Sequence, residues 1–401
     1  MPDNDVSAVV VGGGPAGLTA AITLASGGVA TVLAGKRPPA ADNRTTALLG
    51  SSVTALETLG VWDLCAERTA PLKVIRVVDD TGRLWRAPEV KFEAKEIGLD
   101  AFGYNIENRH LVAALDRRAH VFSNLLLIDD EVVSVSPGER TVSVALKCGD
   151  RLQAPLVVGA DGRRSLCRAA AGIATERHRY PQVALTVCLS HSRPHHDTST
   201  EFHTPSGPFT LVPLPGNRSS LVWVLGPTNA EPLAALNDAE LSVEVERASH
   251  SILGQIEIEP GRGCFPLDRA RARRFAVSRI ALIGEAAHVI PPIGAQGLNL
   301  GLRDAASIGE LAVAAKRAGR DIGGINVLAA YDKMRRADIG GRIFAVDLLN
   351  RTLLTDFLPV QGARGLGLYL LDRIGPLRRA LMREGVAITT ANPRLMRGQR
   401  L

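Results

Sequence analysis

Residues 7–33 constrain this chain most. They read as strand, glycine turn, helix and strand in unbroken succession. Ser7 to Val11 are apolar and largely β-branched, Gly12, Gly14 and Gly17 complete a GxGxxG pattern, Ala16 to Ser26 read as a helix, and Val29 to Leu33 form the next strand. In such a unit one glycine makes the turn, one lets a pyrophosphate approach the backbone, and one lets helix and strand pack closely. The spacing predicts an α/β fold that opens on a Rossmann-like unit. The acidic residue expected at the end of the second strand is missing, and Ala34 is read at its position. The basic pair Lys36-Arg37 raises a nucleotide 2′-phosphate, hence NADP, as an alternative ligand.

Two further strand-to-helix turns follow. Residues 281–306 read ALIGEAAHVIPPIGAQGLNLGLRDAA. An apolar strand runs to Gly284 and Glu285, a turn carries Pro291, Pro292, Gly294 and Gly297, and a helix starts around Leu298 and Asn299. The first N–H groups of a helix lack partners and its dipole is positive there, so the site attracts negative charge. Residues 156–168, LVVGADGRRSLCR, set Asp161 and Gly162 between a strand and an arginine-rich helix start. Arg163, Arg164 and Arg168 add positive charge of the kind that meets phosphate.

These segments resemble the motifs of flavin-dependent aromatic hydroxylases of the para-hydroxybenzoate hydroxylase class. The wording HVIPPIGAQGLNLGLRDAA is similar, more specifically, to the ubiquinone-biosynthesis hydroxylases, the UbiH/UbiF/VisC-like family. The likeness covers about residues 6–345. It implies a Rossmann-like FAD-binding domain in three pieces (1–72, 97–177 and 267–345), an inserted β-rich substrate domain (73–96 and 178–266), and a C-terminal helical basic segment (346–401). It implies that FAD is held by Gly12, Gly14, Pro15, Ala16, Gly17, Arg44, Asp161, Gly162, Gly284, Glu285, Pro292, Gly294, Gly297, Leu298 and Asn299, with NADH or NADPH as reductant.

Within that resemblance, Arg44 of DNRTTALLG is expected to reach the flavin nucleotide, and the helix start at Leu298-Asn299 to face the negative edge of a reduced flavin. Most relatives have Asp where Glu285 stands, bound to the ribityl chain; Glu keeps the carboxylate on one more methylene. Asn108 replaces an Arg found in many relatives, as is typical of the ubiquinone branch. His288 supports the loop, and no catalytic base is assigned. The implied reaction is hydroxylation of an aromatic ring with O2 and NAD(P)H, on a hydrophobic, polyprenylated phenol. Hydroxylation of another phenol or a polyketide stays open. So does a non-catalytic member of a biosynthetic assembly, which Ala34 and Glu285 favour. An NADP-dependent reductase rests on Lys36-Arg37 alone.

The rest of the chain fills in around these turns. Residues 73–92 read as a hairpin about Asp80-Thr81-Gly82, and 178–266 turn to strands such as PFTLVPLPG and SSLVWVLG. Helices are expected at 298–318 and 328–360, the second with Tyr331, Met334, Ile339, Ile343, Val346 and Leu349 at core spacing. His191, His195, His196 and His203 crowd a polar stretch that reads as a loop and lacks metal-ligand geometry. Five dispersed cysteines without a CxxC pair fit a reducing compartment. With no signal segment or apolar run of membrane-span length, a cytoplasmic protein is expected, peripheral on the inner membrane face. Residues 361–401 hold eight arginines against Asp372 and Glu384, which accounts for the whole net charge of +6. That segment offers a membrane surface or another ubiquinone-pathway protein as a partner, or packs on the protein's own body. It has little aromatic interleaving, so nucleic acid is not expected.

Overall fold

The computed structural model describes residues 6–39, 42, 44–82, 88–291, 295–354, 367, 369–370, 373–386 and 392–401, without the side chains of 342–354, 381 and 384–386. Pro292 and Gly294, both expected at the cofactor site, lie outside the described residues.

Five strands align in parallel, and four of them, buried throughout, lie within two residues of the expected positions. Ala8–Val11 sits between Leu156–Gly159 and Thr31–Ala34. Leu125–Ile128 and Ile280–Leu282 extend the sheet on either side, and the short antiparallel Ala276–Val277 closes one edge. A sheet of this kind needs cover on both faces, which explains why its strands are apolar without alternation. Helices α1 (Pro15–Ser26), α2 (Gly50–Thr58), α3 (Asn108–Ala119) and α4 (Leu166–Ala170) belong to this half. Helix α1 starts with Pro15 at its first turn, where the missing N–H costs nothing.

A nine-stranded sheet forms the second layer. It runs His288–Val289, Gly263–Ala272, Thr175–His191, Arg218–Leu225, Gly207–Leu214, Thr198–Thr204, Val74–Asp79 and Val90–Glu93, with Ile256–Ile258 paired to the end of Thr175–His191. Pairing is antiparallel except where Thr198–Thr204 meets Val74–Asp79. The hairpin read at 73–92 is therefore two strands of this sheet, Val74–Asp79 and Val90–Glu93. The long strands pass the expected junctions: Thr175–His191 starts before 178, and Gly263–Ala272 continues beyond 266 because its pairing resumes after a bulge. One face of the sheet packs Phe202, Phe209, Leu221 and Trp223 under α5 (Pro227–Ala235) and α6 (Asp238–Ala248).

The histidine stretch is not one loop. His191 ends a strand and His203 lies within another; both are buried and hydrogen-bonded, to Ser219 and Glu201 respectively. Strand Thr198–Thr204 lies between two other strands of the sheet and buries Ser199, Thr200, Phe202 and His203, polar ones included.

Helix α7 (Gln296–Arg317) lies against α1, and α8 (Ile325–Leu354) lies against α7, running unbroken across residue 345. Helix α9 (Gly375–Val386) sets Met382 against Ala94 and Phe102. The last ten residues are not a free tail. Leu395 and Met396 are buried in the main core, and the Arg394 N–H donates to Glu310. Among the described residues no helix is long and apolar enough to cross a membrane.

Candidate cofactor and active site

The three glycine turns meet at the carboxyl ends of the parallel strands. Gly12, at φ +119°, presses against Ala160 and Asp161: a Cβ there would lie 2.3 Å from the Ala160 oxygen. A Cβ on Gly17 would fall 1.9 Å from the Gly12 oxygen. Gly284 and Gly301 both crowd the methyl of Ala16. The first turn is thus wedged between the second and the third. At Gly14, Gly162 and Gly297, by contrast, a Cβ would meet nothing within 4 Å. Glycine contacts hold the turns together on one side and leave bare backbone on the other, the arrangement a bulky phosphorylated ligand requires.

Side chains then lock the turns. Arg168 is buried and donates to the carbonyls of Ala286, at 2.8 Å, and Arg163, at 2.7 Å. Burial draws its guanidinium below the usual range, with Arg177 adding to the effect. The Asp161 carboxylate accepts from the Ser165 hydroxyl at 2.6 Å and the Cys167 N–H at 3.0 Å, so it shapes its own turn. Glu285 is half exposed and accepts from Arg163 Nε at 3.1 Å, while Arg163 also donates to Asp268. Arg44 holds Asp42 through two hydrogen bonds of 2.8 Å. Burial works to raise the Asp42 pKa, but Arg44 outweighs it and the carboxyl lies below its ordinary value. That hydrogen bond to Asp42, with Glu285 close enough to assist, raises Arg44 in turn.

Helix α7 opens beside these turns without a side-chain cap and without an acid in its first turn. Its N-cap, Ala295, adopts a left-handed φ of 54°. Gly297 and Leu298 follow in that first turn. The Asn299 side chain is spent on the protein: its amide donates to the Ala47 and Ala295 carbonyls and its oxygen accepts from the Leu49 N–H. It fastens the helix start to strand Thr45–Leu49, so the charge-stabilising groups there are backbone N–H groups.

Ala34 ends its strand fully buried and offers no carboxylate, and Gly35, against Gly12 and Gly13, borders the first turn. The basic pair after it is also engaged. Arg37 donates to Asp116 at 2.9 Å and Lys36 approaches Glu131 at 3.9 Å. The sequence reading missed Arg168 as a clamp between two turns, and it missed Asp304 and Arg335, whose charges are wholly buried. The signal for Asp304 was present, a carboxylate within an otherwise apolar helical repeat after GLNLGL.

The nine-stranded sheet closes over the same region. Ser220 accepts from Asn105 and Thr45, and Asn105 also donates to the Pro213 carbonyl. Thr46 donates to Asn108 at 2.7 Å. Arg218 bonds Glu259 at 2.6 Å and reaches Glu107 at 3.4 Å, joining the sheet to the start of α3.

A parallel α/β sheet whose glycine turns gather at an uncapped helix start defines a dinucleotide-binding flavoprotein fold. A family model described as FAD binding domain matches residues 5–339, and the chain belongs to that family, the flavin-dependent monooxygenases, with FAD as cofactor. It is 36% identical to ubiquinone hydroxylase UbiL of Rhodospirillum rubrum over 99% of this chain and 94% of that protein. It is 30% identical to 3-demethoxyubiquinol 3-hydroxylase of Escherichia coli over 97% of this chain and 100% of that protein. Among solved structures, p-nitrophenol 4-monooxygenase PnpA of Pseudomonas putida shares the fold, with a TM-score of 0.77 at 20% identity, covering 94% of this chain and 96% of that one.

Proposed function

We propose that this flavin-dependent hydroxylase acts on the ring of a polyprenylated phenol in ubiquinone biosynthesis, with O2 and NADH or NADPH. Near-full-length similarity to two hydroxylases named for ubiquinone chemistry carries the reading. FAD, when bound, supplies the activation of oxygen. Gly12, Gly14, Pro15, Ala16 and Gly17 would hold its pyrophosphate at the start of α1, with Gly162 and the Arg44 side chain. Gly284 and Glu285 would hold the ribityl chain, and the first N–H groups of α7, at Gly297 and Leu298, would stabilise negative charge on the flavin. The sheet face at Ser220, with Thr46 and Asn108 opposite, orients the phenol and excludes water. The six-stranded and nine-stranded sheets are the cofactor and substrate units in this scheme.

The substrate is lipid-like, and the protein meets it at the inner membrane face. Tyr369, Leu370, Ile374 and Leu377 are exposed beside the exposed Arg373 and Arg383. Such a mixture suits the surface of an anionic bilayer. Purified protein with FAD, O2 and each reduced nucleotide should convert a prenylated phenol to a product one oxygen heavier by mass spectrometry. Conversion of only unprenylated phenols would replace this substrate with a soluble one.

A further inference from the structure

We propose that Asp304 is a positioning residue for the cofactor, acting through the Gly284–His288 turn. The inference rests on the flavin lying at that turn. Asp304 sits two turns into α7 and is fully buried. Its Oδ2 accepts from the Gly284 N–H at 2.9 Å and from His288 Nε2 at 2.7 Å, and its Oδ1 accepts from Arg335 Nε at 2.6 Å. One carboxylate therefore ties the beginning and the end of the turn to each other and to α8.

Helix α8 grips the strands before the turn as well. The Tyr331 hydroxyl donates to the Leu282 carbonyl at 2.8 Å, and Asp332 accepts from the Phe275 N–H at 2.7 Å. Burial works against the charge on Asp304, but Arg335 and His288 outweigh it and hold its carboxyl below the ordinary range. Burying a charge pair is expensive, and an apolar core would pack at lower cost. What the carboxylate provides is geometry. Three donors converge on its two oxygens, and an amide would point its own N–H groups at one of them. Gly284 has φ +56° and a Cβ built on it would lie 3.3 Å from the Ala16 methyl. A shift of this turn therefore moves the first glycine turn too, and the contacts to FAD with it.

The test uses full-length wild type, Asp304→Asn and Tyr331→Phe, each prepared without flavin and titrated with FAD. Flavin fluorescence gives the Kd, visible circular dichroism reports the setting of the bound flavin, and melting of the apoprotein reports stability. Asp304→Asn should raise the FAD Kd about tenfold or more and change the flavin dichroism, and Tyr331→Phe should do so by about threefold. A role confined to stability would lower the melting temperature and leave Kd and dichroism unchanged, which overturns the proposal. Should Asp304→Asn not fold, Tyr331→Phe decides by the same readouts. Wild type that binds no FAD would instead refute the flavin placement itself, and this inference with it.

Discussion

Single atoms set the tolerance of the cofactor turns. A methyl at Gly17 would sit 1.9 Å from a backbone oxygen that cannot swing away, so Gly17→Ala should cost about 3 kcal/mol in a chemical denaturation curve and abolish FAD retention. The thiols separate by burial. Burial pushes Cys65 up to about 11 and Cys188 up to about 12, the latter with help from Glu107 and Glu259, and it raises Cys167 well above its ordinary value. Native protein at neutral pH should therefore alkylate at the exposed Cys148 and Cys264 and leave the other three intact by peptide mass spectrometry. A raised thiol pKa favours the fold below the unfolded value of 9.0, and that contribution is lost as pH climbs towards 11–12. Asp42, Asp304 and Asp321 behave oppositely. Their folded pKa values lie below the unfolded 3.8, so their contribution is present above 3.8 and fades as pH falls beneath it. Melting temperature plotted against pH should accordingly drop at both ends, the acid limb blunted in Asp304→Asn.

Elements record which parts of this structure were legible beforehand. The strand-turn-helix units at 7–33, 156–168 and 281–306 were readable because glycine spacing and apolar runs are local signals, each produced by its own backbone. What holds the units together was not. Arg168 reaches Ala286 across 118 positions and Asn299 reaches Leu49 across 250, and spacing along a chain cannot report such partners. The C-terminal end was open in the sequence between a partner surface and the protein's own body, and for residues 392–401 it is the body: Leu395 and Met396 anchor them beside α2 and α7. Met396→Ala should cost about 2–5 kcal/mol, and deletion of residues 392–401 at least as much, measured by urea unfolding. A truncated protein as stable as the full chain would mean that this docking contributes nothing.

At the scale of the whole molecule, basic charge and exposed apolar side chains coincide in one segment. The arginines of 361–401 do not all face the same way: Arg378 turns inward to Glu96 at 2.8 Å, while Arg373 and Arg383 stay exposed near Ile374 and Leu377. Inward pairing of Arg378 ties α9 to the body and leaves Ile374 and Leu377 on its outer side. Each arginine near an anionic leaflet contributes about 1 kcal/mol, and each apolar side chain that leaves water adds a salt-independent share. The two contributions can be told apart. Full-length protein should float with vesicles containing anionic phospholipid, and less well as salt rises. The double variant Ile374→Glu with Leu377→Glu should lose about tenfold or more in vesicle affinity at every salt concentration, because it removes apolar area and adds two like charges to the membrane. Its FAD titration should match wild type, since the described contacts of α9 are with Ala94, Glu96 and Phe102. Flotation unchanged in the variant would place the membrane contact elsewhere, and absence of flotation in wild type would leave substrate delivery to a carrier protein.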